Sequence, residues 1–288
     1  MVRKDETMRE ELTSVVIYHG DCVDGFTAAW VAQRVVGDRA TFIPARYGDA
    51  RLEQSLELDC YENANLNSRY FILDFSFKRD LMRLLDSKCP VVVLDHHKTA
   101  QADCDGLPFC RFDMDRSGAG MAWDHFNEGQ PRPWLVNYVE DRDLWRFALP
   151  HSQEVNALIR STEQTFGAWD DLCTLRVEQA VQLGRGCLAH INAYVRAAVK
   201  HAFPAKIGQQ QLPLVNITYE SCSEVADALC QQGHDVAGYW FERGDGKIQY
   251  GLRSRGDFDC SVLAKQYGGG GHKGASGFVV DRIVHERM

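Results

Sequence analysis

No apolar run in this 288-residue sequence approaches the roughly 20 residues that a helix needs to cross a bilayer, so a membrane-spanning protein is not expected. The first dozen residues, MVRKDETMREEL, are charged and lack an apolar segment. They read as a disordered or helical lead-in rather than a secretion signal, and the expected compartment is the cytoplasm. Ten cysteines are present, but no CxxC pair and no tight His/Cys cluster, in a chain too large to need staples. That favours reduced, mostly buried thiols over a disulfide framework or a structural zinc site. Positive charge is in deficit: 32 Lys and Arg against 40 Asp and Glu give a formal net charge of −8. A long track for duplex nucleic acid normally needs a basic face, so a phosphate-bearing partner is expected to be small and met by local positive charge. Internal repeats and long low-complexity tracts are also lacking.

What is present has two textures. From about residue 14 to 150, short apolar runs (SVVIYH, ATFIPARY, RYFILDFS, PVVVLDHH) alternate with helical patterns such as DGFTAAWVAQRVV and FKRDLMRLLDS. This alternation predicts an α/β fold with a mostly parallel sheet and helices on both faces. A helical region follows, from Ser117 through WLVNYVEDRDLW to an amphipathic stretch around Val177 to Phe203. The segment HAFPAKIGQQQLPL, with its prolines and glutamines, reads as a linker. Beyond it a strand, a helix, a hairpin turning at Asp245-Gly246, a glycine run and a last strand predict a smaller α+β domain. The expected boundaries are 14–203, a linker at 204–213, and 214–288.

The stretch VVVLDHHK, Val91 to Lys98, is a buried-type strand ending in an acid and two imidazoles. Such groups are costly to bury unless they are paired or bind a metal. In parallel sheets ligands gather beyond the carboxyl ends of the strands, and here His19, Asp21, Asp24, Asp74, Asp95, His96 and Asp141 would converge on one such edge. So many carboxylates in one place repel unless cations neutralise them, and Asp/His ligands suit Mn²⁺, Mg²⁺, Fe²⁺ or Co²⁺. Taken singly, each residue could merely cap a helix or end a strand; Asp24, just before FTAAWVA, is a fair N-cap. A second candidate is YGGGGHKGASGF, Tyr267 to Phe278, whose glycines leave backbone N–H groups open to an anion and whose His272 and Lys273 add donors. Arg253 is a further candidate phosphate ligand. Tyr239, Trp240 and Phe241 could stack a base, although core packing is their ordinary role.

Together HGDCVDG at His19 to Gly25, LDFS around Asp74, LDHH around Asp95 to His97, and GGGGHKGASGF resemble the DHH phosphoesterase superfamily with its associated C-terminal domain. The resemblance spans about residues 14 to 280, with the motifs in family order. That family includes RecJ-type exonucleases, small-oligonucleotide and cyclic-dinucleotide phosphodiesterases, exopolyphosphatases and family II pyrophosphatases. The resemblance implies two divalent ions, Mn²⁺ foremost, with Mg²⁺ or Co²⁺ as alternatives. His19, Asp21 and Asp74 would hold one, and Asp24, Asp74, His96 and Asp141 the other, with Asp74 bridging. It further implies that Asp95 orients its neighbours and that His97 contacts the scissile phosphate and helps protonate the leaving oxygen. Arg253, Ser254, Gly270, Gly271 and His272 would grip the terminal phosphate or base, and Ser117 would lie near substrate.

Two departures stand out. The family's DxD is here Asp21-Cys22-Val23-Asp24, one residue wider, so either the loop bulges to bring Asp21 back or Asp21 is displaced. Cys22 is disfavoured as a ligand because hard ions prefer oxygen. In EDRD, Asp141 is preferred over Asp143 because Val139-Glu140-Asp141 fits the family pattern better. The expected activity is metal-assisted hydrolysis of a short nucleotide, linear such as pGpG or cyclic, with a C-terminal phosphate loop setting substrate length. A polyphosphate or pyrophosphate hydrolase, or a nucleotide-binding protein with weak catalysis, is the alternative. The expected partner is the nucleotide, without long duplex nucleic acid or membrane, and homodimerisation is left open.

Overall fold

The structure is a computed structural model that describes residues 12–37, 39–64 and 66–288. Apart from Leu12, the lead-in expected at the start lies outside the described residues. The chain divides into two compact units: Met1–His96 with Asp103–Arg146 and Gln164–Asp171, and His97–Ala102 with Phe147–Glu163 and Leu172–Met288.

In chain order the elements are β1 (Thr13–His19), α1 (Val23–Val36), β2 (Thr41–Ala45), α2 (Ala50–Glu62), β3 (Ser68–Leu73), α3 (Arg79–Asp86), β4 (Val91–Asp95), α4 (Lys98–Cys104), β5 (Cys110–Phe112), α5 (Gly118–Phe126) and α6 (Trp134–Asp143). There follow α7 (Ser152–Ser161), α8 (Phe166–Thr174), α9 (Val177–Ala198), a 3₁₀ turn (Val199–His201), β6 (Phe203–Ile207), β7 (Gln210–Asn216) and α10 (Cys222–Cys230). The chain ends with β8 (Val236–Glu242), β9 (Ile248–Ser254), α11 (Cys260–Lys265), β10 (Gly270–Gly271), β11 (Ala275–Val280) and β12 (His285–Arg287).

The first unit carries the parallel sheet that the alternating pattern predicts, in the order β2-β1-β3-β4-β5. Successive strand residues point to opposite faces. Ile17, Tyr70, Ile72, Val91 and Val93 pack on one face with Leu56 and Cys60 of α2 and Leu81, Met82 and Leu85 of α3. Their neighbours Val16, Phe71, Leu73 and Leu94 are buried on the other, where α1 and α5 contact the strands. Both faces are covered, so β3 and β4 read as continuous apolar runs rather than alternating ones. The strand order reverses direction between β1 and β3, and at that reversal the crossovers leave a crevice at the carboxyl ends of the strands. His19 closes β1, Asp74 follows β3, and Asp95 closes β4.

The second unit has a mixed sheet, in the order β10-β11-β9-β8-β7-β6-β12. Only β7 and β8 run parallel among its described pairs. Residues 204–213, read above as a linker, lie in the antiparallel hairpin of β6 and β7, with Pro204 opposite Pro213. Counted from the closing pair Ile207 and Gln210, this is a non-hydrogen-bonded pair, so neither missing amide breaks the ladder between the two strands. The prolines that suggested a break sit where a sheet tolerates them. No helix among the described residues is long and apolar enough to cross a membrane.

Candidate metal centre

Asp74 sits just past β3 in the left-handed region, at φ 54, a conformation that aspartate tolerates better than most residues. It is 1% exposed, and its amide donates to the Leu94 carbonyl at 2.8 Å, which ties it to β4. Its two oxygens serve different neighbours: Oδ2 lies 3.3 Å from His19 Nδ1, and Oδ1 lies 3.1 Å from His96 Nε2. Around these two contacts stand two donor groups able to hold an ion, His19 with Cys22 and Asp74, and Asp24 with His96 and Asp143. Within each group the ligand atoms lie within 4.8 Å of one another.

The second group is held from behind. Asp24, in the first turn of α1, accepts from the Gly118 and Ala119 amides at 2.6 and 3.0 Å. Those amides open α5, where a helix leaves N–H groups without intrahelical partners and favours negative charge. The approach requires glycine at 118, since a Cβ there would stand 2.4 Å from the Asp74 Cβ. Asp95, fully buried, accepts from Ser76 Oγ at 2.6 Å and from the His96 amide at 2.7 Å, so its carboxylate fixes the backbone that carries His96. Ser117, also fully buried, caps α5 by accepting from the Gly120 amide at 3.1 Å.

The charges interact strongly. Burial opposes a proton on His96, but Asp143, Asp74 and Asp24 outweigh it and hold its pKa well above the ordinary 6.5. His19 shows the same balance, with burial opposed by Cys22 and Asp74, and its pKa too is well above 6.5. Burial would raise Asp74, yet hydrogen bonds from His19 and His96 bring it well below 3.8. Burial followed by the charges of Asp143 and Asp74 pushes Asp24 well above 3.8. Acids and imidazoles thus compensate one another in part, and Asp24 remains the group that a cation would relieve. This donor set fits divalent ions, with one nitrogen and several oxygens on the buried side and a nitrogen, an oxygen and a sulfur on the other.

Two ligand expectations change. Asp21 does not enter either group: at φ 56 it turns outward, 60% of its side chain is exposed, and it pairs with Arg46. The wider motif is accommodated by displacing this acid, and Cys22 takes the place beside His19. Asp143 rather than Asp141 completes the buried group, 3.4 Å from His96 Nε2. Residues two apart on a helix point about 200° apart, so these two acids of α6 cannot share a face. Glu140, one helical turn before Asp143, accepts from Arg132 at 2.9 Å and from the Ser117 amide at 3.1 Å. The i, i+3 spacing of Glu140 and Asp143 was the signal available in EDRD.

In the second unit His97 stacks on His272, with centroids 4.7 Å apart and planes at 24°. The Gly271 amide donates to Thr99 Oγ1 at 3.2 Å, and Lys98 pairs with Asp259, the residue that caps α11. Ser254 Oγ donates to the Phe258 carbonyl at 2.8 Å, so it is engaged in shaping the loop after β9. Arg253 and Ser254 end β9, and Ala275 of β11 pairs in register with Arg253. This brings Arg253, Gly270, Gly271 and His272 to one end of the sheet. Tyr239 and Trp240 pack into separate apolar clusters, as core residues do.

Residues 211–286 match the family model described as the DHHA1 domain. An uncharacterized protein of Acanthamoeba polyphaga mimivirus is 28% identical over 312 residues, covering 97% of this chain and 70% of that protein. RecJ of Thermus thermophilus, solved with Mn²⁺, has a TM-score of 0.52 and 15% identity, covering 94% of this chain and 50% of that one. A pGpG-specific phosphodiesterase, PggH of Vibrio cholerae, has a TM-score of 0.49 and 13% identity over 93% of both chains. The C-terminal part of the resemblance read from the motifs is thus matched by the DHHA1 model, and the likeness to RecJ is one of fold.

Proposed function

We propose that the chain is a divalent-metal-dependent phosphodiesterase acting on short nucleotides, dinucleotides foremost. The observation that carries this reading is the pair of donor groups flanking Asp74 at the switch point of the parallel sheet, one containing it and the other meeting it through His96. The residues that would hold divalent ions are His19, Cys22 and Asp74 on one side and Asp24, His96 and Asp143 on the other, and the chemistry supplied there would be water activation and relief of charge on a phosphodiester's oxygens. The chain's own residues do the rest. Asp74 gives one oxygen to His19 and the other to His96, and the α5 amides hold the Asp24 carboxylate in the inner group. Asp95 fixes His96 through its amide, which keeps the imidazole's Nε2 turned toward Asp74 and Asp143. His97 is the proposed donor to the leaving oxygen, the ordinary work of a positioned imidazole.

In the region that matches the DHHA1 model, Arg253, Gly270, Gly271 and His272 are proposed to take the terminal phosphate or base, with open amides and cationic side chains as donors. Ser254 and Ser117 are proposed as shaping residues, because their hydroxyls are occupied by the backbone. The net charge of −8 favours a short substrate over a long polyanion, and Mn²⁺ is the proposed ion. The proposed boundary between the two domains lies before β6, with residues 204–213 in the second domain's sheet.

The test is Mn²⁺-dependent turnover of pGpG, other dinucleotides, cyclic dinucleotides, a longer oligoribonucleotide and polyphosphate. Cleavage confined to dinucleotides is expected. Stepwise loss of nucleotides from the longer strand would overturn the short-substrate reading. Hydrolysis of polyphosphate alone would move the function to a phosphoanhydride hydrolase, and binding without hydrolysis would leave a nucleotide-binding protein.

A further inference from the structure

We propose that Cys22, in place of Asp21, is the third protein ligand of the ion flanked by His19 and Asp74. The chain would then set a thiolate-containing metal position beside one built from carboxylates and an imidazole. The inference rests on the metal-dependent reading above and specifies one of its two positions.

Three observations carry it. Cys22 Sγ is one of three donor atoms, with those of His19 and Asp74, that fall within 4.8 Å of one another. The acid that could have taken this place is turned away and neutralised by Arg46, with 60% of its side chain in solvent. Cys22 is held where it stands: it is the N-cap of α1, its side chain makes no capping hydrogen bond, and the next turn is pressed onto the end of β1. A Cβ at Gly25 would lie 2.3 Å from the His19 carbonyl oxygen, so only glycine permits that approach. Three residues, Gly20 to Cys22, join β1 to α1. With two residues rather than one between the aspartates, the residue that faces inward is the last of the three.

The chemistry distinguishes the two positions. Thiolate is a soft ligand that favours Zn²⁺, Fe²⁺ or Co²⁺ over Mg²⁺ and Mn²⁺, whereas Asp24, Asp143 and Asp74 with His96 suit the harder ions. Binding exchanges the thiol proton for the metal and releases that proton to solvent. The two positions should therefore fill with different preferences, and the outer one should be lost when Cys22 is alkylated.

The experiment is a cobalt titration of the metal-stripped full-length chain, read by absorption. A thiolate-to-cobalt charge-transfer band in the near ultraviolet is expected, saturating at one ion per chain. It should vanish in Cys22→Ser and in Cys22→Asp, and the serine variant should bind Zn²⁺ at this position about 10- to 100-fold more weakly. Peptide mapping of the wild-type chain gives a second readout that needs no variant: Zn²⁺ should slow alkylation of Cys22 about tenfold or more. A band that persists unchanged in Cys22→Ser, or Cys22 alkylated equally fast with ions bound, overturns the assignment. If cobalt then still binds with ligand-field bands alone, the metal-dependent reading stands and only the thiolate ligand falls. If the wild-type chain binds no ion, both fall together.

Discussion

Asp24, His96 and Asp74 are exposed by 2% or less and a quarter of the side chain of both Asp143 and His19 faces solvent, whereas more than half of the side chain of Asp21, the acid outside both groups, does. The buried group is assembled from the first turn of α1, the end of β4 and the last turn of α6, and the α5 amides and Asp95 hold it. In the outer group Cys22 hangs on a three-residue loop, while His19 and Asp74 sit at strand ends. An extra residue in that loop moves one acid out and one thiol in, while the interior side is constrained by packing that no loop change reaches. Asp74 stands between them, with one oxygen on His19 and the other on His96.

The contrast between the two groups breaks first at Asp74. Asp74→Asn should lower turnover about 10³-fold or more and weaken both metal positions, as metal titration and single-turnover kinetics would register. A variant that lost only one position would mean that Asp74 does not bridge. Next, Asp143→Asn should weaken the inner position about 10- to 100-fold while Asp141→Asn leaves it unchanged, and isothermal titration with Mn²⁺ separates the two. The reverse outcome would restore the choice of Asp141 made from the sequence pattern.

Gly118→Ala places a Cβ 2.4 Å from that of Asp74 and should cost about 1–3 kcal/mol in denaturant unfolding of the metal-free chain. A neutral result would mean that α5 slides freely and does not fix Asp24. The pH dependence follows from His19 and His96, both held well above 6.5 in the metal-free chain. Raised pKa values contribute stability that is full below 6.5 and is lost as pH rises through the folded-state values. Metal must displace those protons, so ion binding should release protons and tighten as pH rises through the same range, which calorimetry in buffers of different ionisation enthalpy would detect. The smallest effect belongs to Asp21→Asn, which removes an exposed pair with Arg46 and should change metal affinity by less than about threefold.

Much of this was legible because parallel strands advertise themselves. VVVLDHH has to be a buried strand ending at a polar site, and β1, β3 and β4 each deliver an acid or imidazole to one sheet edge. The site became obscure where side-chain direction depends on local geometry. Nothing in HGDCVDG states that Asp21 adopts φ 56 and leaves the interior to Cys22. In EDRD the family pattern pointed to Asp141, while the helical face defined by Glu140 leads to Asp143. The prolines of 204–213 suggested a break, because their harmlessness depends on a hairpin register fixed only in the folded sheet.

The decisive experiment is a count of ions bound per chain, by elemental analysis after saturation with Mn²⁺ or Co²⁺, in the wild type and in Asp74→Asn. Two ions are expected in the wild type, with a loss at both positions in the variant. One ion or none in the wild type, or two retained without Asp74, would contradict a centre built around a shared carboxylate.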